Sequence, residues 1–166
     1  LMIDPASPVL HYSQEIFEGL KVYRRKDGGI QMFRPMENAL RMNRSAERIC
    51  MPPLDPDFQV LAMKTLVELE QDWIPSSEGT SLYLRPMMIA DGAELGVHPA
   101  KHFLYVIICS PSGSYYKNGM QPIRIHIEDR YVRAVKGGTG AAKTGGTYAA
   151  SLKATFDAAE KGFDQV

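Results

Sequence analysis

The sequence predicts an α/β chain of the α+β kind: a mostly antiparallel sheet with two helices, followed by the opening of a second domain. Three observations point there. Two β-like runs flank an Asp27-Gly28-Gly29 turn and read as a hairpin. Two segments of helical periodicity follow, each with a proline near its start. Two further β-like runs, "TSLYLRPMMIA" and "HFLYVIICS", come after them, separated by the loop "DGAELGVHPAK".

The hairpin in "GLKVYRRKDGGIQMFR" places strands near 20–25 and 30–34. Pro35 suits the first turn of a helix, in which Met36, Ala39, Leu40, Ala46, Ile49 and Cys50 recur at helical spacing until "MPPLDP" ends it. Asp55 then caps a second helix with Pro56 at its first position. Its predicted apolar face is Phe58, Leu61, Ala62, Thr65, Leu66, Leu69 and Trp73. After the two β-like runs, "PSGSYYKNGMQP" is rich in turn residues and marks a boundary. The expected division is a small domain over 1–112, a linker over 113–122, and the beginning of a larger domain over 123–166. In that last part "IRIHIE" alternates as a half-buried strand. A helix over "TYAASLKATFDAAEKG" puts Tyr148, Leu152, Phe156 and Ala159 on one side and stops at Gly162. "FDQV" opens an extended segment with no partner of its own, so the chain is expected to be a fragment.

Composition excludes several classes. With 19 basic and 19 acidic residues and no basic run, the chain lacks the clustered charge that nucleic acid requires. No apolar stretch approaches the ~20 residues of a membrane span, and "LMIDPASPVLHY" lacks the basic start and apolar run of a signal peptide. Cys50 and Cys109 sit in apolar company and are expected to be buried free thiols of a reducing compartment. The four histidines show no metal-ligand spacing with them, so no metal is expected.

The segment "GGTGAAKTGG", residues 137–146, carries the chemistry. A phosphate-cradling P-loop needs glycine immediately before the lysine, but Ala142 precedes Lys143, and Gly145 and Gly146 weaken the helix that should start there. A plain glycine turn is the structural alternative. The third reading makes Lys143 a reactive amine. A lysine partly desolvated by small and aromatic neighbours can lose its proton near neutral pH, and a neutral amine forms a Schiff base with an aldehyde cofactor.

Five blocks favour that third reading. "LHYSQEIFEGLKVYR", "FRPMENALRMNRSAERICMP", "SLYLRPMMIA", "GVHPA" and "YVRAVKGGTGAAKTGGTYAASL", in order and nearly spanning the chain, resemble the branched-chain amino-acid aminotransferases. These are pyridoxal-phosphate enzymes of fold type IV, the D-alanine-aminotransferase-like group. The resemblance implies the small domain of such an enzyme plus the start of its cofactor domain.

It also implies roles. Lys143 would hold pyridoxal 5'-phosphate as a Schiff base and Tyr148 would hydrogen-bond the cofactor's phenolic oxygen. Arg34, opening "FRP", and Arg133, in "YVRA", would grip the phosphate. Tyr12, Phe17, Tyr83, Arg85 and Tyr115 would line the substrate pocket, and Leu95 and Val97 would reach the active site of the other subunit of a homodimer. The implied reaction moves the amino group of leucine, isoleucine or valine to 2-oxoglutarate. A cytoplasmic setting is expected, with the mitochondrial matrix left open. Two features depart from the family. Thr147 stands where it has asparagine, and the acidic partner of the pyridine nitrogen belongs to a C-terminal half that is not in this sequence. A catalytically incompetent folded fragment or partner-binding module is therefore the alternative reading.

Overall fold

The computed structural model describes residues 1–113 and 121–166. Tyr115 lies outside them. The elements run α1 (Pro8–Tyr12), β1 (Glu15–Phe17), β2 (Leu20–Arg24), β3 (Ile30–Met32), α2 (Pro35–Arg48), α3 (Pro56–Leu69), a short 3₁₀ turn (Gln71–Trp73), β4 (Ser81–Asp91), β5 (His102–Ser112), α4 (Gly145–Ala149) and α5 (Leu152–Glu160).

All five strands form one antiparallel sheet centred on β4, whose eleven residues pair with β5 along one edge. The other edge takes β1 and then β2 in a single register, from Glu15 opposite Ile89 to Val22 opposite Leu82. The ladder breaks between them, opposite Pro86. Glu18 N–H still donates to the Pro86 carbonyl at 2.7 Å, but proline has no N–H to return. The predicted hairpin is β2–β3, with Asp27 accepting the Gly29 N–H at 3.0 Å.

Period-two alternation sorts β4 into two faces. Leu82, Leu84 and Met88 are buried under the helices. α3 covers one end, packing Met63 and Val67 against Leu20, Val22, Leu82 and Leu84. α2 covers the other, packing Met42 and Ala46 against Ile16 and Met88. Each such leucine contributes about 1.5–3 kcal/mol through burial.

The helix starts agree with the sequence signals. Pro35 and Pro56 open their helices, and the Asp55 carboxylate accepts the Asp57 N–H at 3.0 Å. Several predicted faces do not. In α3 the sheet side is Gln59, Met63 and Val67, while Phe58, Leu61 and Leu69, together with Trp73 just beyond, are exposed. The helix is apolar nearly all round, so periodicity alone does not choose between two stripes. In α2 the buried set is Ala39, Met42, Ser45 and Ala46, with Met36 and Leu40 exposed. Cys50 is exposed and Cys109 only half-buried, although both are free thiols as expected. The segment "IRIHIE" is no strand. It makes one parallel bridge, Ile125 with Gln165, and has no further partner among the described residues with which to build a ladder. The last predicted helix is two, broken at Ala150–Ser151. It buries Ala154 and Ala158 and leaves Leu152 and Phe156 exposed. Among the described residues no helix is long and apolar enough to cross a membrane.

Candidate active site around Lys143

The second face of the sheet carries Phe17 from β1 and Tyr83 and Arg85 from β4. The Arg85 guanidinium lies over the Phe17 ring, 4.5 Å from its centre, and donates to the Tyr83 hydroxyl at 2.9 Å. Arg85 Nε is buried without an acceptor among the described residues. A buried donor left unpaired costs about 1–3 kcal/mol. Gly19 makes room for the cluster. A Cβ there would stand 2.0 Å from the Tyr83 hydroxyl oxygen, so the tyrosine can lie across the chain only where no side chain exists.

The lysine loop is strapped to this face by backbone bonds. Phe17 N–H donates to the Lys143 carbonyl at 3.0 Å, and Lys143 N–H donates to Ser45 Oγ of α2 at 2.9 Å. Thr144 Oγ1 donates to the Ser13 carbonyl at 3.3 Å, and Arg48 reaches the Gly137 carbonyl at 2.9 Å. Thr144 and Ala142 are buried, which leaves the Lys143 side chain as the part of the loop that faces the cluster. Its Nζ donates to the Tyr148 hydroxyl at 2.6 Å and lies 4.6 Å from the Phe17 ring centre and 4.8 Å from that of Tyr148. The two rings are themselves 5.0 Å apart. Four predicted residues, Lys143, Tyr148, Phe17 and Arg85, thus form one cluster, with Tyr83 joined to it through Arg85.

Thr147, the departure from the family pattern, is buried. Its hydroxyl donates to the Thr139 carbonyl at 3.1 Å and lies 3.0 Å from the Thr139 hydroxyl. It therefore closes the loop locally. At the start of α4 the Glu15 carboxylate accepts the Gly145 N–H. Gly145 is small for the same reason, since a Cβ would meet Glu15 Oε1 at 2.2 Å. Burial pushes the Glu15 carboxyl above the ordinary range, partly offset by the Gly145 N–H and the positive charge of Arg85.

The remaining predicted residues lie around the cluster. Arg133 is exposed and lines a cavity of 510 Å³ that also includes Tyr148 and Ser151. Tyr12 lines another, of 420 Å³, with Val97, Thr144 and Gly146, behind the lysine loop. Leu95 and Val97 are 72% and 87% exposed, so their loop does not bury them in this chain. Gln14 anchors that loop, accepting the Ala100 N–H at 3.1 Å. Arg34 precedes α2, is 65% exposed, and pairs with Glu37 at 3.1 Å.

Sequence reasoning passed over Arg41. Its guanidinium is clamped by the buried Glu18 at 2.6 and 2.7 Å, one turn before Ser45, whose hydroxyl accepts the Lys143 N–H. The Glu18 hydrogen bond, first, and then the negative charge of Glu18 make Arg41 more basic than usual, against the opposing effect of burial. A signal existed: Glu18 falls at a core-facing position between Ile16 and Leu20, where an acid needs a partner.

An amine, a tyrosine and an arginine-backed aromatic wall thus meet on one antiparallel sheet. No protein-family model matches the chain. Among curated proteins it is 53% identical over 167 residues to branched-chain-amino-acid transaminase 1 of Bacillus subtilis, covering all of this chain and 47% of that protein. It is 52% identical to a probable branched-chain-amino-acid aminotransferase of Streptomyces coelicolor, covering 46% of it. Among solved structures, a T.th. branched-chain amino acid aminotransferase with pyridoxamine 5'-phosphate superposes with a TM-score of 0.82 at 26% identity, over 98% of this chain and 52% of that one. The same enzyme complexed with N-(5'-phosphopyridoxyl)-L-glutamate gives 0.77 at 27% identity. The chain is a homologue of the branched-chain aminotransferases and has the mixed α/β, fold type IV architecture of the part it matches. It spans about half the length of these relatives.

Proposed function

We propose that the protein carrying this chain is a pyridoxal-phosphate-dependent branched-chain aminotransferase that moves the amino group of leucine, isoleucine or valine to 2-oxoglutarate. The observation that carries this reading is the Lys143 amine, 2.6 Å from the Tyr148 hydroxyl on a loop strapped to both β1 and α2. The residues fit the cofactor. They offer an amine for its aldehyde, a hydroxyl beside that amine, arginines for an anion, and a buried Arg85 donor in need of an acceptor. Relatives of known structure bind pyridoxamine 5'-phosphate and phosphopyridoxyl-glutamate, which supports it further.

When bound, pyridoxal phosphate supplies the carbonyl that takes up the amino group and a ring that withdraws electrons from the α-carbon. Lys143 would hold the cofactor through its amine and, in the reaction, its Nζ would move the α-proton as base and then acid. Tyr148 orients the amine and would hydrogen-bond the cofactor's phenolic oxygen. Phe17 and Tyr83 present apolar walls, worth about 1.5–3 kcal/mol for an aliphatic side chain buried against them. Arg85 offers a cation at the polar side of the same wall. Arg41 and Arg133 take the phosphate end ahead of Arg34: Arg41 lies one turn before Ser45, which accepts the Lys143 N–H, Arg133 shares a cavity with Tyr148, and Arg34 is paired outward with Glu37. In this reading 1–112 is the small domain and the cofactor domain begins near 123. Leu95 and Val97 reach the site of a second copy, and the protein works in the cytoplasm.

The test uses full-length protein, leucine and 2-oxoglutarate. We expect glutamate formation and a visible Schiff-base band that borohydride traps on Lys143 and that Lys143→Ala abolishes. A band retained in Lys143→Ala, or no turnover with any of the three amino acids, would sink the proposal.

A further inference from the structure

We infer that Glu18 is a positioning residue that holds the guanidinium of Arg41 as a fixed donor pair for the anionic end of the ligand. The inference rests on the cofactor reading above and goes beyond it by assigning a task to a buried acid that touches no ligand.

Glu18 lies in the break between β1 and β2 and is 1% exposed. Its carboxylate is fully used. Oε1 accepts from Arg41 Nε at 2.6 Å, while Oε2 accepts from Arg41 Nη2 at 2.7 Å, Asn38 Nδ2 at 2.8 Å and Gly19 N at 3.2 Å. The two-point contact fixes the plane of the guanidinium, which a single contact does not. It occupies one edge only. Among the described residues Nη1 and the outer N–H of Nη2 remain, on a side chain 47% exposed and one turn before Ser45, whose hydroxyl donates to the Arg41 carbonyl and accepts the Lys143 N–H. An unclamped arginine in that position would sample many rotamers and lose entropy on binding an anion. The clamp meets that cost during folding.

A second consequence concerns charge. The Glu18–Arg41 pair is neutral as a unit, so what it offers a phosphate is aimed hydrogen bonds more than net attraction. Removing the carboxylate leaves a freer positive charge but no aim. Glutamine at 18 would also turn an amide donor toward Asn38, Gly19 or Arg41, all of them donors, and push the guanidinium away.

The experiment compares the affinities of full-length protein for pyridoxal phosphate and for pyridoxal, which lacks the phosphate. Glu18→Gln is expected to weaken pyridoxal phosphate tenfold or more and leave pyridoxal within about twofold, so the ratio of the two affinities falls. Arg41→Lys should lower the ratio as well, and Glu18→Gln added to Arg41→Lys should lower it no further. A ratio that is unchanged or rises overturns the inference, as does equal weakening of both ligands, the mark of a merely structural ion pair. Should Glu18→Gln not fold, Glu18→Asp, which keeps the charge but draws it back from Arg41, takes its place: a lowered ratio sustains the inference and an unchanged one rejects it. Wild-type protein that binds neither ligand removes the cofactor reading, and this inference with it.

Discussion

On the helix-covered face of β4, Leu82 and Leu84 are wholly buried and Met88 nearly so. On the opposite face Tyr83, Arg85 and Met87 are half-buried, and the neighbouring strand adds Phe17 beside the Lys143 amine. The same eleven residues therefore serve two ends, and a one-residue shift in register would exchange them. The faces also differ in how they carry an unpaired polar atom. On the helix side, the Tyr105 hydroxyl is buried with no partner among the described residues, and burial pushes its pKa up to about 12. On the site side, Arg85 Nε is equally unpaired but stands over Phe17, in the cluster around the Lys143 amine. One sits in packing; under the proposed function the other is a donor for the ligand.

The sharpest way to separate the faces is to remove one large group from each. Lys143→Ala in full-length protein should lower transaminase turnover at least about 10⁴-fold while leaving stability within about 0.5 kcal/mol, as for most partly exposed side chains. Leu84→Ala should do the reverse. It leaves a cavity beneath α3 and costs about 2–5 kcal/mol in urea denaturation, with turnover per folded molecule nearly unchanged. Comparable losses of both properties in both variants would show that the faces are not independent.

Gly19→Ala tests the seam between them. The added methyl would stand 2.0 Å from the Tyr83 hydroxyl oxygen, so the ring and its bond from Arg85 must shift. About ten- to hundredfold should be lost in kcat/KM for leucine, since small displacements near reacting groups are expensive. An unaffected kcat/KM would remove Tyr83 from the pocket wall. On the helix side, Tyr105→Phe deletes only the unpaired hydroxyl and should raise stability by about 1 kcal/mol with no kinetic effect. A loss of stability there would reveal a partner for the hydroxyl.

Much of the helix-covered half was legible, because capping and turn chemistry act over three or four residues. Asp55, Pro56, Pro35 and the Asp27 turn are such signals, and each held. What failed was orientation. α3 carries apolar residues on nearly every side, so its choice of Met63 and Val67 over Leu61 and Leu69 depends on the sheet beneath it. The three residues of β1 were invisible because their pairing is with β4, over seventy positions later. On the site side, Lys143 and Tyr148 were picked out together because they share one block that resembles the aminotransferases, and the fold sets them 2.6 Å apart. The partners of Glu18 were not, since Arg41 lies 23 positions away and only the folded chain brings them together. The same holds for Glu15 and Gly145. Two adjacent glycines after Thr144 read as helix-weakening until the fold sets a carboxylate against the first of them.

Glu15 supplies the smallest test, a slope rather than a loss. Its carboxyl lies on the site face, and burial raises its pKa above the reference of 4.5, against the pull of the Gly145 N–H and Arg85. The folded state therefore holds this proton more tightly than the unfolded chain does. The stabilisation that follows is complete below the unfolded value and is lost as pH rises from there through the raised folded value. Glutamine keeps an acceptor for Gly145 but does not titrate. Relative to wild type, Glu15→Gln should thus gain stability as pH climbs from 4.5 through that window, and then level off. Denaturant midpoints measured across the range decide the sign. A relative loss with rising pH would mean that the bond to Gly145 and the charge of Arg85 outweigh burial. The carboxylate would then be an anchor of the lysine loop in its ionised form, and the site face would share with the helix face the task of holding the fold together.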